Sequence, residues 1–342
     1  MQRVPAGGSG TTVSGGTAAL RLAGKSILIT GGAGFIGSHL AERVAVEQPD
    51  RIVVVDSMYL GREGNLEPAR RAFPQLKLYR QDASDYNAMS AIVASERTNV
   101  VFNLAVVPLP TSLVNPRWTV DMNMAITTVA CELQRQGYFQ TLVQFSSSEA
   151  YGSADYVPMD ERHPGQPSTP YAASKLGSDL VVLSYRATYG SDVAVLRPFN
   201  NYGPRQNAGA YAGVIPIVVG RAMRGEPIEI HGDGEQTRDF IYVSDTAEAA
   251  VRIYEEPGSR GMVVNIGSGH ELSVNELVHM IVQELGVDVP IVHTDPRPGD
   301  VRRHVAATDR AQSVLGFEPK VAIREGLAKT LAWYRTELGP AT

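Results

Sequence analysis

Tyr171 and Lys175 stand four residues apart in the pentapeptide YAASK, early in a segment whose pattern predicts a helix. Residues at that spacing share a helix face, so a phenol and an ammonium would point into one space. A phenol ionises near pH 10 and is a poor base at neutrality. A neighbouring cation stabilises the phenolate and brings it toward the working range, which would make Tyr171 an acid/base group. Alone, such a pair describes an ordinary solvated helix surface. What raises it is QFSSSEAYG, residues 144–152, at the expected carboxyl end of a sheet strand, where Ser148 can donate to an oxygen shared with Tyr171.

A second constellation, ITGGAGFIGSHL at residues 29–40, gives up side chains just where a helix begins. The expected strand Ile27 to Thr30 runs into Gly31, Gly34 and Gly37. Gly31 permits a tight turn, Gly34 lets a pyrophosphate approach the backbone, and Gly37 lets the helix pack closely on a sheet, while the helix N-terminus offers free N–H groups. Asp56 closes the next strand, placed to accept from both ribose hydroxyls of an adenosine. Its charge would repel a 2′-phosphate, so the cofactor expected is NAD rather than NADP. Asp82, after the strand LKLYR, would hold the adenine amino group or cap a helix.

These groups need strand ends and helix starts to carry them, and the pattern supplies both. KSILIT, IVVVD, LKLYR, NVVFNLA, TLVQFS and VAVLRP read as strands alternating with helices, among them segments from Pro116 to Gly137 and from Pro170 to about Tyr189. That alternation predicts an α/β, Rossmann-type doubly wound parallel sheet over residues 25–200. From 201 to 342 the alternation loosens and Pro and Gly become frequent, as expected of a smaller mixed α/β substrate lobe closing over the sheet, with the chain free to cross back. Residues 1–24, rich in Gly, Ser and Thr, read as a mobile tail.

Composition narrows the classes. The chain has 342 residues, 43% hydrophobic and 20% charged, with net charge -5; this argues against a nucleic-acid partner and suggests a large buried core. No apolar block long enough for a signal peptide or a membrane span is visible. The single Cys131 excludes an intramolecular disulfide and reads as a packed thiol, consistent with a cytoplasmic protein.

Taken together, TGGAGFIGSHL, NLA at residues 103–105, FSSSEAYG, YAASK, RPFNNYGPRQ, GDGEQTRDFIYVSD and RPGD resemble the extended short-chain dehydrogenases/reductases that act as nucleotide-sugar epimerases, dehydratases and decarboxylases. The resemblance runs from Lys25 to about Trp333 with the motifs in the family's order. It implies a two-lobed protomer, a homodimer built through the helices around Cys131 and Lys175, and a UDP-sugar substrate. On the cofactor side it implies Phe35, Ile36, Ala83, Leu104, Ala105, Asn123 and Pro198 beside NAD, and Lys175 on the nicotinamide ribose. On the substrate side it implies Ser146, Ser147, Asn200 and Arg205 near the sugar and diphosphate, Val214 beside the base, and Arg238, Arg297 and Asp300 around the diphosphate. No metal enters this reading.

The resemblance also implies a shared first step, oxidation at carbon 4 of the sugar with Tyr171 as base and Ser148 bridging, and then a fork. Dehydratases acting on thymidine-linked glucose carry Asp and Glu after a Thr, whereas this chain has Ser147, Ser148 and Glu149. Decarboxylases and dehydratases of GDP-mannose carry Thr-Ser-Glu, which is nearer, and Glu149 would then be catalytic. Decarboxylases use an arginine where this chain has His304 or Val305. RPGDV followed by LGFEP resembles the 4-epimerases. After NLA the chain reads VVPLP instead of the usual polar continuation, which should alter how the sugar is held. Three serines at 146–148 offer hydroxyls for a sugar carboxylate, so the expectation is a UDP-hexose 4-epimerase acting on UDP-glucuronate, first in a short list that includes UDP-glucose and UDP-N-acetylglucosamine. A catalytically silent NAD-binding regulator is the reading from another class.

Overall fold

The computed structural model describes residues 19–208, 212–296 and 301–339. The strands β1 (Ser26–Thr30), β2 (Arg51–Asp56), β3 (Lys77–Arg80), β4 (Val100–Asn103), β5 (Thr141–Phe145), β6 (Asp192–Pro198) and β7 (Val263–Ile266) form one sheet in the order β7-β6-β5-β4-β1-β2-β3. Every pairing is parallel. Apolar runs such as SILIT are buried along their whole length, as strands covered by helices on both faces must be.

The helices start where local chemistry allows. α1 (Phe35–Ala45) begins at Gly34 with no side-chain cap. α2 (Tyr86–Ser95) is capped by Asp85, which accepts from the Ala88 N–H at 3.0 Å. α3 (Pro116–Arg135) and α4 (Pro170–Tyr189) pack side by side. Thr169 caps α4 and Pro170 opens it, so Tyr171 falls in its first turn and Lys175 one turn on. Cys131, on the buried face of α3, is fully buried, and burial pushes its thiol up to about 12.

The second lobe gathers α5 (Val214–Met223), α6 (Val243–Glu255), α7 (Val274–Leu285) and α8 (Ile323–Leu338) with short two-stranded ladders. Its core joins Val218, Ile230, Leu277, Ile281 and Leu331. The chain does not stay there after residue 200. α6 lies along α1, and β7 extends the main sheet beside β6. Part of the expected tail is also packed: Leu20 donates its N–H to the Glu255 carbonyl at 2.8 Å, and the Leu22 side chain is fully buried. An apolar residue among glycines anchors the chain ahead of position 25. Among the described residues no helix is long and apolar enough to cross a membrane.

Candidate active site

Strand order reverses between β1 and β4, and a cavity of about 620 Å³ opens there at the carboxyl ends of the strands. Gly31, at φ +67°, makes the turn out of β1. A Cβ on Gly37 would lie 2.2 Å from the Gly31 carbonyl oxygen, so the first turn of α1 rests directly on the strand exit. Gly34, Phe35, Ile36 and Gly37 line the cavity, and the first N–H groups of an uncapped helix have no intrahelical partner. Asp56 lies on the same wall, its carboxylate accepting from the Ala33 N–H at 3.0 Å and the Met58 N–H at 2.8 Å. Burial raises its pKa against the pull of those two donors.

Ala83, Leu104, Ala105 and Pro198 also line this space. Asp82 does too, but one of its oxygens builds a turn by accepting from the N–H and hydroxyl of Ser84; the helix cap is Asp85. Asn123 is a correction. Its amide is engaged with the Val107 N–H and carbonyl and with the Ser174 hydroxyl, and it is not among the residues lining the cavity. Asn123 shapes the Val106–Pro108 wall, and those three residues do face the cavity. Trp118, Met122 and Ile126, spaced by four along α3, line it as well and were not singled out from sequence; the four-residue apolar spacing was their signal.

Tyr171, Lys175 and Ser146 line this same cavity. The Lys175 ammonium donates to the Phe145 carbonyl at 2.5 Å. Burial lowers its pKa to about 8, with Asp179 acting in opposition. Burial likewise pushes the Tyr171 phenol up to about 12, and a hydrogen bond with Ser147 pulls it back. The hydroxyl beside the phenol is thus Ser147, not Ser148. Ser147 is extended (φ -152°, ψ 144°) and caps a short 3₁₀ turn, Ser148–Tyr151, so the chain bends after it and carries Ser148 into the interior. Ser148 is 3% exposed and its carbonyl faces His304 Nε2 at 3.2 Å. Glu149 lies near enough to raise the Tyr171 pKa by its charge.

Behind this group is a buried ion pair that sequence reasoning missed. Arg197 donates to Asp179 at 2.6 Å, and Ser146 donates its hydroxyl to the same carboxylate oxygen at 2.5 Å. Asp179 continues the Tyr171–Lys175 row by another four residues, which was the signal available for it.

The expected substrate residues are less tightly gathered. Asn200 has its amide oxygen buried and, among the described residues, without a partner. Val214 opens α5 but is not among the residues lining the cavity, whereas its neighbour Gly213 is. Arg238 donates to the carbonyls of Thr237 and Val301. Arg297 and Asp300 lie outside the described residues. Arg205 departs from its expected role: it lines the cavity, yet its guanidinium is held by Glu42 of α1 at 2.7 Å and the Asn65 carbonyl at 2.9 Å. No group of three or more metal-ligating side chains exists among the described residues.

The chain as a whole is similar to known proteins. The GDP-mannose 4,6 dehydratase family model matches residues 28–330. The chain belongs to this family of NAD-dependent nucleotide-sugar enzymes. It is 34% identical over 90% of its length to a putative UDP-glucose 4-epimerase of Methanocaldococcus jannaschii, covering 98% of that protein. It is 35% identical to a dTDP-glucose 4,6-dehydratase of Actinoplanes sp., covering 90% of this chain and 97% of that one. The solved UDP-glucose 4-epimerase of Thermotoga maritima with UDP-glucose superposes with a TM-score of 0.86 at 33% identity, over 92% of this chain and 99% of that one. For this family member the cofactor is NAD, and the cavity fits it: uncapped N–H groups and close-packed glycines suit a pyrophosphate, and Asp56 suits an unphosphorylated ribose.

Proposed function

We propose that the protein is an NAD-dependent 4-epimerase of a UDP-linked hexose. The observation that carries this reading is the composition of the Ser147–Glu149 turn beside Tyr171 and Lys175. It supplies the phenol and ammonium for proton transfer at carbon 4, but one carboxylate only, Glu149. Expelling water across carbons 5 and 6 calls for a base at one carbon and an acid at the other, and a buried serine, Ser148, stands where a second carboxyl would serve. Holding the carboxylate of a uronic acid for decarboxylation calls for a cation beside it. His304, fully buried with its pKa lowered to about 4, is neutral.

Tyr171 takes the proton of the 4-hydroxyl, Ser147, whose hydrogen bond draws the phenol pKa down, orients the oxygen, and Lys175, fixed on the Phe145 carbonyl, is the cation we assign to stabilising the phenolate once substrate and cofactor are bound. Bound NAD supplies a two-electron acceptor and donor at carbon 4. The 4-keto sugar turns in the site, and Tyr171 returns the proton after the opposite face is reduced. Arg238, held on the Thr237 and Val301 carbonyls, is the guanidinium we assign to the diphosphate.

Within UDP-hexoses the serine argument for glucuronate loses a member, because the Ser146 hydroxyl already donates to Asp179. A hexose with a neutral carbon 6, UDP-glucose or UDP-galactose, is therefore the substrate we propose first, with UDP-glucuronate and UDP-N-acetylglucosamine after it. We place the enzyme in the cytoplasm as a homodimer through α3 and α4, the latter presenting an exposed Leu180; sedimentation of the purified protein tests the dimer. The activity is tested by incubation with UDP-, thymidine- and GDP-linked sugars, followed by mass spectrometry and proton NMR. Unchanged mass with inversion at carbon 4 is the expected result. Loss of water or carbon dioxide would replace the epimerase with a dehydratase or decarboxylase using Glu149.

A further inference from the structure

We propose that a second cleft, sharing a wall with the cofactor cavity, binds a phosphate-bearing anion and so controls how firmly NAD is held. The cleft encloses about 890 Å³ between α1, the Gly64–Arg71 segment, the Pro204–Arg205 loop and α8. Five cations line it, and three have carboxylate partners: Arg43 with Glu47 and Glu248, Arg205 with Glu42, Lys329 with Glu325. Arg62 and Arg71 have no carboxylate within 4.0 Å among the described residues, and both are exposed. Of the acids on the lining, Glu42 and Glu67 already face Arg205 and Arg70, which leaves Glu337 against two guanidiniums. Guanidinium forks match phosphate geometry, and the half-buried Trp333 on the same lining offers a flat apolar surface.

The wall between the two spaces is built from Arg62, Asn65 and Arg205, which line both. The Arg62 N–H donates to the Ala33 carbonyl at 3.0 Å, and the Asn65 amide donates to the same oxygen at 2.9 Å. Arg205 in turn holds the Asn65 carbonyl, and the Ala33 N–H holds Asp56. An anion bridging Arg62 and Arg71 fixes the segment 57–65, whose Tyr59, Leu60 and Gly61 cover the cofactor cavity. Occupancy therefore slows release of NAD. The inference is independent of which sugar nucleotide is turned over.

The test uses the NAD-saturated unsubstituted enzyme, with the emission change assigned to Trp333, one of its two tryptophans, by its loss in a Trp333→Phe control. Inorganic pyrophosphate and ADP are titrated separately at constant ionic strength set with sodium chloride, and calorimetry of the unsubstituted holoenzyme repeats both. UDP is avoided because it would enter the proposed substrate site. A saturable change in Trp333 emission is expected, weakened about tenfold or more by Arg71→Glu, with NAD release slowed about twofold or more at saturation. Equal affinities for the two probes identify phosphate as the group read; tighter ADP adds the nucleoside. Absence of saturable signal and heat, or a titration unchanged in Arg71→Glu, overturns the site. Binding with an unaltered NAD release rate overturns the control.

Discussion

The two sides of the cleft are built from different material. The cofactor side is mostly backbone: the turn Gly31–Gly37, the unpaired N–H groups of α1, and one carboxylate, Asp56, fixed by two N–H donors. The substrate side is mostly side chains with internal partners: Arg238 on two carbonyls, Arg205 on Glu42 and Asn65, Ser146 on Asp179. Several buried acceptors near it, at Asn200, Asn201, Gln206 and His304, have no partner among the described residues. A backbone site is rigid and tolerates few replacements, because every Cβ added meets main chain. A side-chain site can be rearranged, and a ligand entering it exchanges one set of hydrogen bonds for another. The first side suits a resident cofactor, the second the rearrangement of a bound substrate that the proposed epimerisation requires.

The sharpest way to break this division is to remove the one side chain on which chemistry depends without touching the backbone cradle. Tyr171→Phe should lower kcat about 10³-fold or more while leaving the NAD content of the purified protein unchanged. Epimerisation measured by NMR and cofactor released by heat denaturation check the two halves separately, and a variant that also loses NAD would dissolve the distinction. The reverse experiment is Gly37→Val. With a Cβ placed 2.2 Å from the Gly31 oxygen and 2.7 Å from the Gly32 Cα, α1 must lift off the strand. The protein should purify without NAD and melt several degrees lower, an outcome read by cofactor absorbance and calorimetry. Asp56→Ala is gentler: loss of a hydrogen-bonded carboxylate should weaken NAD about tenfold to a hundredfold and shrink the preference over NADP, as measured by equilibrium titration of apoenzyme.

The same contrast explains what could be read from the chain. The parallel sheet and the cofactor wall are legible because they depend on local rules: apolar strands alternating with helices, a glycine-rich exit, an acid at a strand end. The choice among three serines is not, since all carry the same hydroxyl. It is decided by the backbone, extended at Ser147 and helical from Ser148, which turns one side chain toward Tyr171 and buries the next. Arg205 is beyond local reading for another reason. Its partner Glu42 lies 163 residues away on α1 and captures a guanidinium that would otherwise be assigned to substrate. Asn123 is taken up in the same way by Val107 and Ser174.

His304 tests the comparison most finely, because it joins the two kinds of construction: a side chain whose task is to hold a piece of backbone. Its Nε2 faces the Ser148 carbonyl, and its ring lies 5.1 Å from that of Phe199. Replacing it with Phe leaves that carbonyl without its donor, and the Ser147–Glu149 turn should loosen. A fall in kcat of about fivefold with KM nearly constant is expected, partly restored by Gln, whose amide reaches with a donor at similar length. The titration gives an independent readout. Burial, aided by the charge of Arg238, lowers the His304 pKa from 6.5 to about 4, so in the folded state the ring stays neutral. The unfolded chain takes up its proton first, near pH 6.5, and stability must fall as pH drops from there toward 4, by up to about 3 kcal/mol for this group. His39, lowered to about 3 by burial and by Arg205, adds to the slope in the same direction. Denaturant midpoints measured across that window should therefore fall less steeply in His304→Gln than in the parent. Equal slopes would mean that the ring does not stay neutral in the folded protein, and the turn would then need another support.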